Sequence, residues 1–167
     1  MADLLECVIQ IKALAETVPR LAALADRVAD DRWRAVSAPG VPAPIEVVGH
    51  LADEELDFHA ELRAMLAADV TRPERTAGAA PAGSSPYLTW PVVAVIDRFR
   101  RRRAGTLARL NACSADELGR LGCHPSRGAM TVADLVAVML AHDTDHVGQI
   151  RERLGLLPGD TRPSPAD

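Results

Sequence analysis

Two histidines four residues apart, in the run His142-Asp143-Thr144-Asp145-His146, are the residues of this chain whose type and spacing could do chemistry. On a helix, such residues carry their Cβ atoms about 5–6 Å apart on one face. Two imidazoles at that spacing reach a single metal ion, at about 2.0–2.1 Å each. A lone histidine on an apolar face is ordinarily a hydrogen-bonded core residue. A pair is harder to satisfy, because two buried rings need several partners at once. The spacing is that of the zincin motif His-Glu-x-x-His, with Asp143 where the glutamate base would stand. Asp is a methylene shorter, and the residues after His146 hold no histidine and no glutamate beyond Glu152, so a metalloprotease is disfavoured.

A third ligand has to come from elsewhere in the chain. His50 is the best placed of the remaining histidines, since it begins a long helical segment and is followed by Asp53, Glu54 and Glu55. His59 lies more than two turns further along and does not share its level. His124 precedes Pro125 in a loop and is expected to border the site rather than to ligate.

Helices must position these side chains. Thr131 to Gly155 reads as one amphipathic helix with Leu135, Met139, His142, His146 and Ile150 on a common face. Thr131 with Asp134 makes a capping pair at its start, and Arg151, Arg153, Gly155 and Pro158 close its end. A first helix spans Asp3 to about Asp30, and Pro19 predicts a kink or break near Thr17 and Val18. The turn-rich Ser37–Pro44 leads to a second helix from Ile45 to Ala68 with the seam Val48, Leu51, Phe58, Leu62 and Met65. Asp69 to Pro91 reads as a long surface loop pinned at its end by Tyr87 and Trp90. A third helix follows from about Pro91 to Asn111, with Val92, Val95, Ile96, Phe99, Leu107 and Leu110 inward. Ser114 and Glu117 cap a short turn. Four long helical patterns and no strand pattern imply an all-α four-helix bundle, an architecture that builds metal sites from facing helices.

Composition is that of a globular protein, 48% hydrophobic and 25% charged, with enough length for one domain over residues 1–157 and a Pro-rich tail over 158–167. A net charge of −4 disfavours a nucleic-acid partner. No run is long enough to span a membrane, and MADLLECVIQ lacks the form of a secretion signal, so the expected location is cytoplasmic. Cys7, Cys113 and Cys123 are odd in number and are expected as free thiols. The basic run Arg98 to Arg103 reads as a solvated face, or alternatively as a landing site for an anionic, carboxylate-bearing thiol.

The motifs GHLADEE at Gly49–Glu55, GCHPSRGAMT from Gly122, and AHDTDHVGQI at Ala141–Ile150 resemble the DinB-like superfamily, which includes YfiT-type metal-dependent hydrolases. The resemblance runs from the first helix to Leu157. It implies an up-down-down-up four-helix bundle, usually a homodimer, with His50, His142 and His146 as metal ligands. The family includes transferases that use mycothiol or bacillithiol and mycothiol-dependent maleylpyruvate isomerases. Many members have a Trp-Ser pair before the first histidine helix. Here that place reads Pro-Ala-Pro, with Trp33 well upstream, so the substrate entrance departs from the pattern.

Three neutral imidazoles leave an open position on a divalent ion, which favours catalysis or substrate binding over a closed structural site. Zinc or nickel suits such a set. A bound water would ionise near pH ~7, and a bound thiol below its free value of about 8.5. Hydrolysis of a small molecule then needs a base, for which Glu54 and Asp143 are the candidates. Thiol S-transfer needs a cradle for a cofactor such as mycothiol. The reading from a different class is a metal- or ligand-binding stress protein without turnover.

Overall fold

The computed structural model describes residues 4–67, 81–124 and 127–156. Helix α1 covers Leu4–Ala25, α2 Pro44–Leu66, α3 Val92–Asn111, the single turn α4 Ala115–Leu118, and α5 Val132–Arg153. Between α4 and α5 lie two short strands, β1 Leu121–His124 and β2 Gly128–Thr131, paired antiparallel with Leu121 opposite Thr131. This hairpin corrects the expectation of no strand. Four-residue strands carry no readable period, and the Gly, Pro and Ser around them read only as a turn.

The four long helices form an up-down-down-up bundle. Contacts near one end of the bundle show the course. Val92 N–H, at the start of α3, donates to Asp30 Oδ1 at 3.1 Å. Gly83 N–H donates to Glu46 in the first turn of α2 at 2.9 Å. Both α2 and α3 therefore start at the same end and run parallel. Arg32, just before α2, reaches the carbonyl of Leu154, so α5 ends where α2 begins. Helix α2 packs on α3 and α5, and α1 packs on the same two, which leaves α1 and α2 on one diagonal.

Local sequence explains the helix ends. Glu46 Oε2 accepts from Ala43 N–H at 2.8 Å at the head of α2, and Thr131 and Asp134 exchange hydrogen bonds at the head of α5. Gly155, at φ 69°, terminates α5 in the left-handed region that favours glycine. Pro19 does not break α1, which is assigned as one helix through it. Its lost hydrogen bond is offset by burial of Leu14, Thr17, Val18 and Leu21 around it.

The core divides into two apolar clusters, one at each end. The first holds Leu21, Trp33, Ile45, Val48, Leu51, Phe99 and Ile150, and the second Leu14, Phe58, Leu62, Leu110, Leu135 and Met139. Between them lies a polar layer with one buried residue from each long helix: Thr17, Glu55, Arg103 and Asp143. The described half of the long α2–α3 connection is tied down. It contains a 3-10 turn, Pro86–Thr89, with Tyr87 buried and Trp90 against it at 5.5 Å between ring centroids. The segments 68–80 and 157–167, which hold most of the expected loop and the Pro-rich tail, lie outside the described residues.

Candidate metal centre

His50 sits in the second turn of α2, while His142 and His146 lie one turn apart on α5, the antiparallel neighbour of α2. The interface brings the three rings together. Centroids of His50 and His142 are 5.3 Å apart, of His50 and His146 4.8 Å, and of His142 and His146 4.4 Å. One nitrogen from each ring lies within 4.8 Å of the others. The Nε2 atoms of His50 and His142 are 3.3 Å apart. Two ligands at ~2.05 Å on a tetrahedral ion stand about 3.3 Å apart, so this pair has the separation a shared ion needs. The donor set of three half-buried imidazoles fits a divalent metal.

Outer contacts differ among the rings. His146 Nδ1 is 3.2 Å from Gln149 Oε1. Burial, and then the neighbouring His142, hold the His146 pKa below the ordinary imidazole value, which keeps its ring neutral and able to donate a lone pair. His142 Nδ1 has no hydrogen-bond partner, and Asp143 Oδ1 lies 4.0 Å away. Phe58 meets the His142 ring edge-on at 5.4 Å.

Asp143 does not face the open side of this cluster. Its Oδ2 accepts from Arg103 Nη1 at 2.7 Å and from Thr17 at 2.8 Å, and its Oδ1 accepts from Arg103 Nη2 at 3.1 Å. Burial works to raise this carboxyl's pKa, but the adjoining His142 and the Arg103 guanidinium outweigh it and hold the group ionised. Both carboxylate oxygens of Asp143 are thus turned toward Arg103 and Thr17, beside His142 in the chain. Glu55 completes the ion cluster, accepting from Arg103 Nε at 2.9 Å, and burial pushes its pKa up. Glu54 is buried one turn beyond His50 on α2.

A cavity of about 180 Å³ opens beside His50 and His146. Pro42, Val47, Pro86 and Tyr87 give it apolar walls, and Glu46, Asp53 and Gln149 give it polar ones. Tyr87 donates its hydroxyl to Asp53 at 2.7 Å while its ring fills the notch over Gly49. No arginine or lysine lines this cavity among the described residues.

The basic run of α3 is neither a solvated face throughout nor a free landing site. Arg103 is in the core, Arg102 binds Asp53 and the Ala52 carbonyl, and Arg100 and Arg101 pair with Asp97. Arg98 lies 3.9 Å from Asp53. His59 is apart from the cluster, 3.3 Å from Thr106. His124 belongs to β1, and its side chain falls outside the described residues. Sequence reading missed Arg103, Gln149 and the cavity role of Tyr87. The signal for Arg103 was its register, since Phe99, Arg103, Thr106 and Leu110 share one buried face.

These features define a class: an up-down-down-up four-helix bundle with a cluster of three imidazoles between its second and last long helices. The family model of the DinB superfamily matches residues 13–150, and the chain belongs to that superfamily. Among solved structures the chain is similar to YfiT from Bacillus subtilis, described as "a probable metal-dependent hydrolase with an unusual four-helix bundle topology". The likeness has a TM-score of 0.75 at 16% identity and covers 94% of this chain and 92% of that one, so it speaks for the fold. No curated protein matches this chain. No helix among the described residues is long and apolar enough to cross a membrane.

Proposed function

We propose that this protein is a divalent-metal-dependent enzyme acting on a small molecule, with His50, His142 and His146 as ligands. The observation that carries this reading is the convergence of three ring nitrogens within 4.8 Å beside a cavity. Bound there, zinc or nickel would supply Lewis acidity and lower the pKa of whatever water or thiol it took up. The apolar cavity walls exclude solvent and orient a small substrate toward His50 and His146. Hydrolysis is the reaction we favour, a reading also supported by the description of YfiT. The arginines that would have cradled an anionic thiol are committed to acids, which leaves an uncharged thiol such as mycothiol as the form in which thiol transfer would fit. We assign Glu54 as the base, since it follows His50 by one turn on α2.

The chain is proposed to work as a cytoplasmic homodimer of single-domain subunits spanning residues 1–157, a reading supported by family membership and by the exposed Leu5 and Ile9 on α1. The test is elemental analysis of tag-free protein, followed by a screen of esters, amides and thiol-conjugation substrates with zinc or nickel restored. Bound metal, with turnover lost in His142→Ala and kept in His59→Ala, supports the proposal. Stoichiometric metal without turnover on any class would favour a binding protein instead.

A further inference from the structure

The structure assigns Gln149 as a positioning residue that fixes the tautomer of His146 and so builds the third ligand. This inference rests on the proposed metal site and extends it to a side chain outside the ligand set. His146 Nδ1 lies 3.2 Å from Oε1 of Gln149, three residues further along α5. A neutral imidazole carries one N–H and one lone pair, and the bond made by one nitrogen decides the state of the other. An amide oxygen can only accept. Held against Nδ1, it keeps the proton there and leaves the lone pair on Nε2.

The reversed amide would do the opposite. Its NH₂ would donate to Nδ1, place the ring proton on Nε2, and remove that atom from the ligand set. The orientation with the oxygen toward His146 is therefore the one compatible with metal, and it gives His146 the same ligand atom that His50 and His142 turn toward each other. The contrast with His142 gives Gln149 its weight. The Nδ1 of His142 has no hydrogen-bond partner and only a carboxylate at 4.0 Å, so that ring is held mainly by packing against Phe58 and the other imidazoles. Gln149 also lines the cavity, so the same side chain that sets the ligand forms part of the wall a substrate meets.

The test compares Gln149→Leu, which removes the acceptor, with Gln149→Glu, which keeps it. Zinc affinity is measured on full-length, tag-free protein by competition with a chromophoric chelator, and the cobalt(II) visible spectrum reports coordination. Gln149 is a half-buried surface residue, and matched melting of the metal-free variants establishes that both fold. The expected result is a loss of roughly 10–100-fold in zinc affinity for Gln149→Leu with an altered cobalt spectrum, and near-parental affinity with a parental spectrum for Gln149→Glu. Should Gln149→Leu misfold, Gln149→Ala is read in its place. Parental affinity and spectrum in the variant without an acceptor would overturn the assignment while leaving the three-histidine site intact. Parental protein that binds zinc no better than His50→Ala would overturn both.

Discussion

Arg103 and Asp143 meet inside the bundle, with Nη1 2.7 Å from Oδ2 and Nη2 3.1 Å from Oδ1, although they belong to helices on opposite diagonal corners. Both are 2% exposed. The pair is two-pronged, extended by Thr17 and Glu55, and it lies directly under His142, the neighbour of Asp143 in the chain. Ionic groups taken this far from water are costly unless every prong is satisfied. Their arrangement fixes the rotation of α5, and with it the direction in which His142 and His146 point.

Arg103→Met should therefore cost about 3–5 kcal/mol of stability, because Asp143 and Glu55 are left buried without their cation. Urea unfolding of metal-free protein measures this. The double change Arg103→Met with Asp143→Leu should recover part of the loss, since it removes an uncompensated charge. A loss below about 1 kcal/mol in the single variant would show that the layer is wetter than its burial implies.

How much of this was readable beforehand follows from the same residues. The helices and their seams were legible because Val48, Leu51, Phe58, Leu62 and Met65 recur at helical spacing and are all buried. The histidine pair on α5 was legible for the same reason. The turn of the Asp143 carboxylate toward Arg103 was not legible, because a motif shows which residues are adjacent, not which way a carboxylate points. Its partner stands 40 residues away in the chain, within a basic run that looked uniform. Charge runs hide the one member that faces inward. The hairpin escaped because each of its strands is only four residues long.

Gly49 precedes His50, and a Cβ there would stand 2.0 Å from Cδ2 of Tyr87. Gly49→Ala should cost about 1–3 kcal/mol through overpacking and should lift Tyr87 out of the notch, breaking its hydrogen bond to Asp53. Denaturation of the parent, both single variants and the double variant measures the coupling. In a Tyr87→Ala background the cost of Gly49→Ala should largely vanish. Additive costs would mean that the ring does not hold the notch in solution.

Glu61 is buried on α2, and its carboxyl is pushed up to about 7 by burial and by the negative Asp57 one turn earlier. The folded chain thus holds a proton that the unfolded chain releases near its ordinary value of 4.5. Stability from this group is fully present below pH 4.5, falls as pH rises towards 7, and levels off above. Glu61→Gln removes the ionisation. The variant should match the parent at pH 4.5 and exceed it at pH 8 by on the order of 1–3 kcal/mol. Chemical denaturation at four or five pH values decides the matter, and parallel profiles for the two proteins would rule out a raised carboxyl at this position.

Metal loading couples to both stability and pH through the three imidazoles. A ligand that binds only the folded chain stabilises it by RT ln(1 + [L]/Kd), about 2.7 kcal/mol at a hundredfold excess over Kd. Zinc should therefore raise the melting temperature of the parent, and chelator should lower it again. Protonation competes for the same lone pairs, so the zinc-induced shift should shrink as pH falls through about 6.5. The His146 ring, whose pKa is held low by burial and by His142, keeps its lone pair to lower pH than an ordinary imidazole does. His50→Ala should abolish the shift at every pH, because it removes the one ligand contributed by α2. Scanning calorimetry of parent and variant, with and without zinc, at pH 5.5 and 7.5 measures all of these effects. An equal zinc shift in parent and His50→Ala would place the metal on other residues.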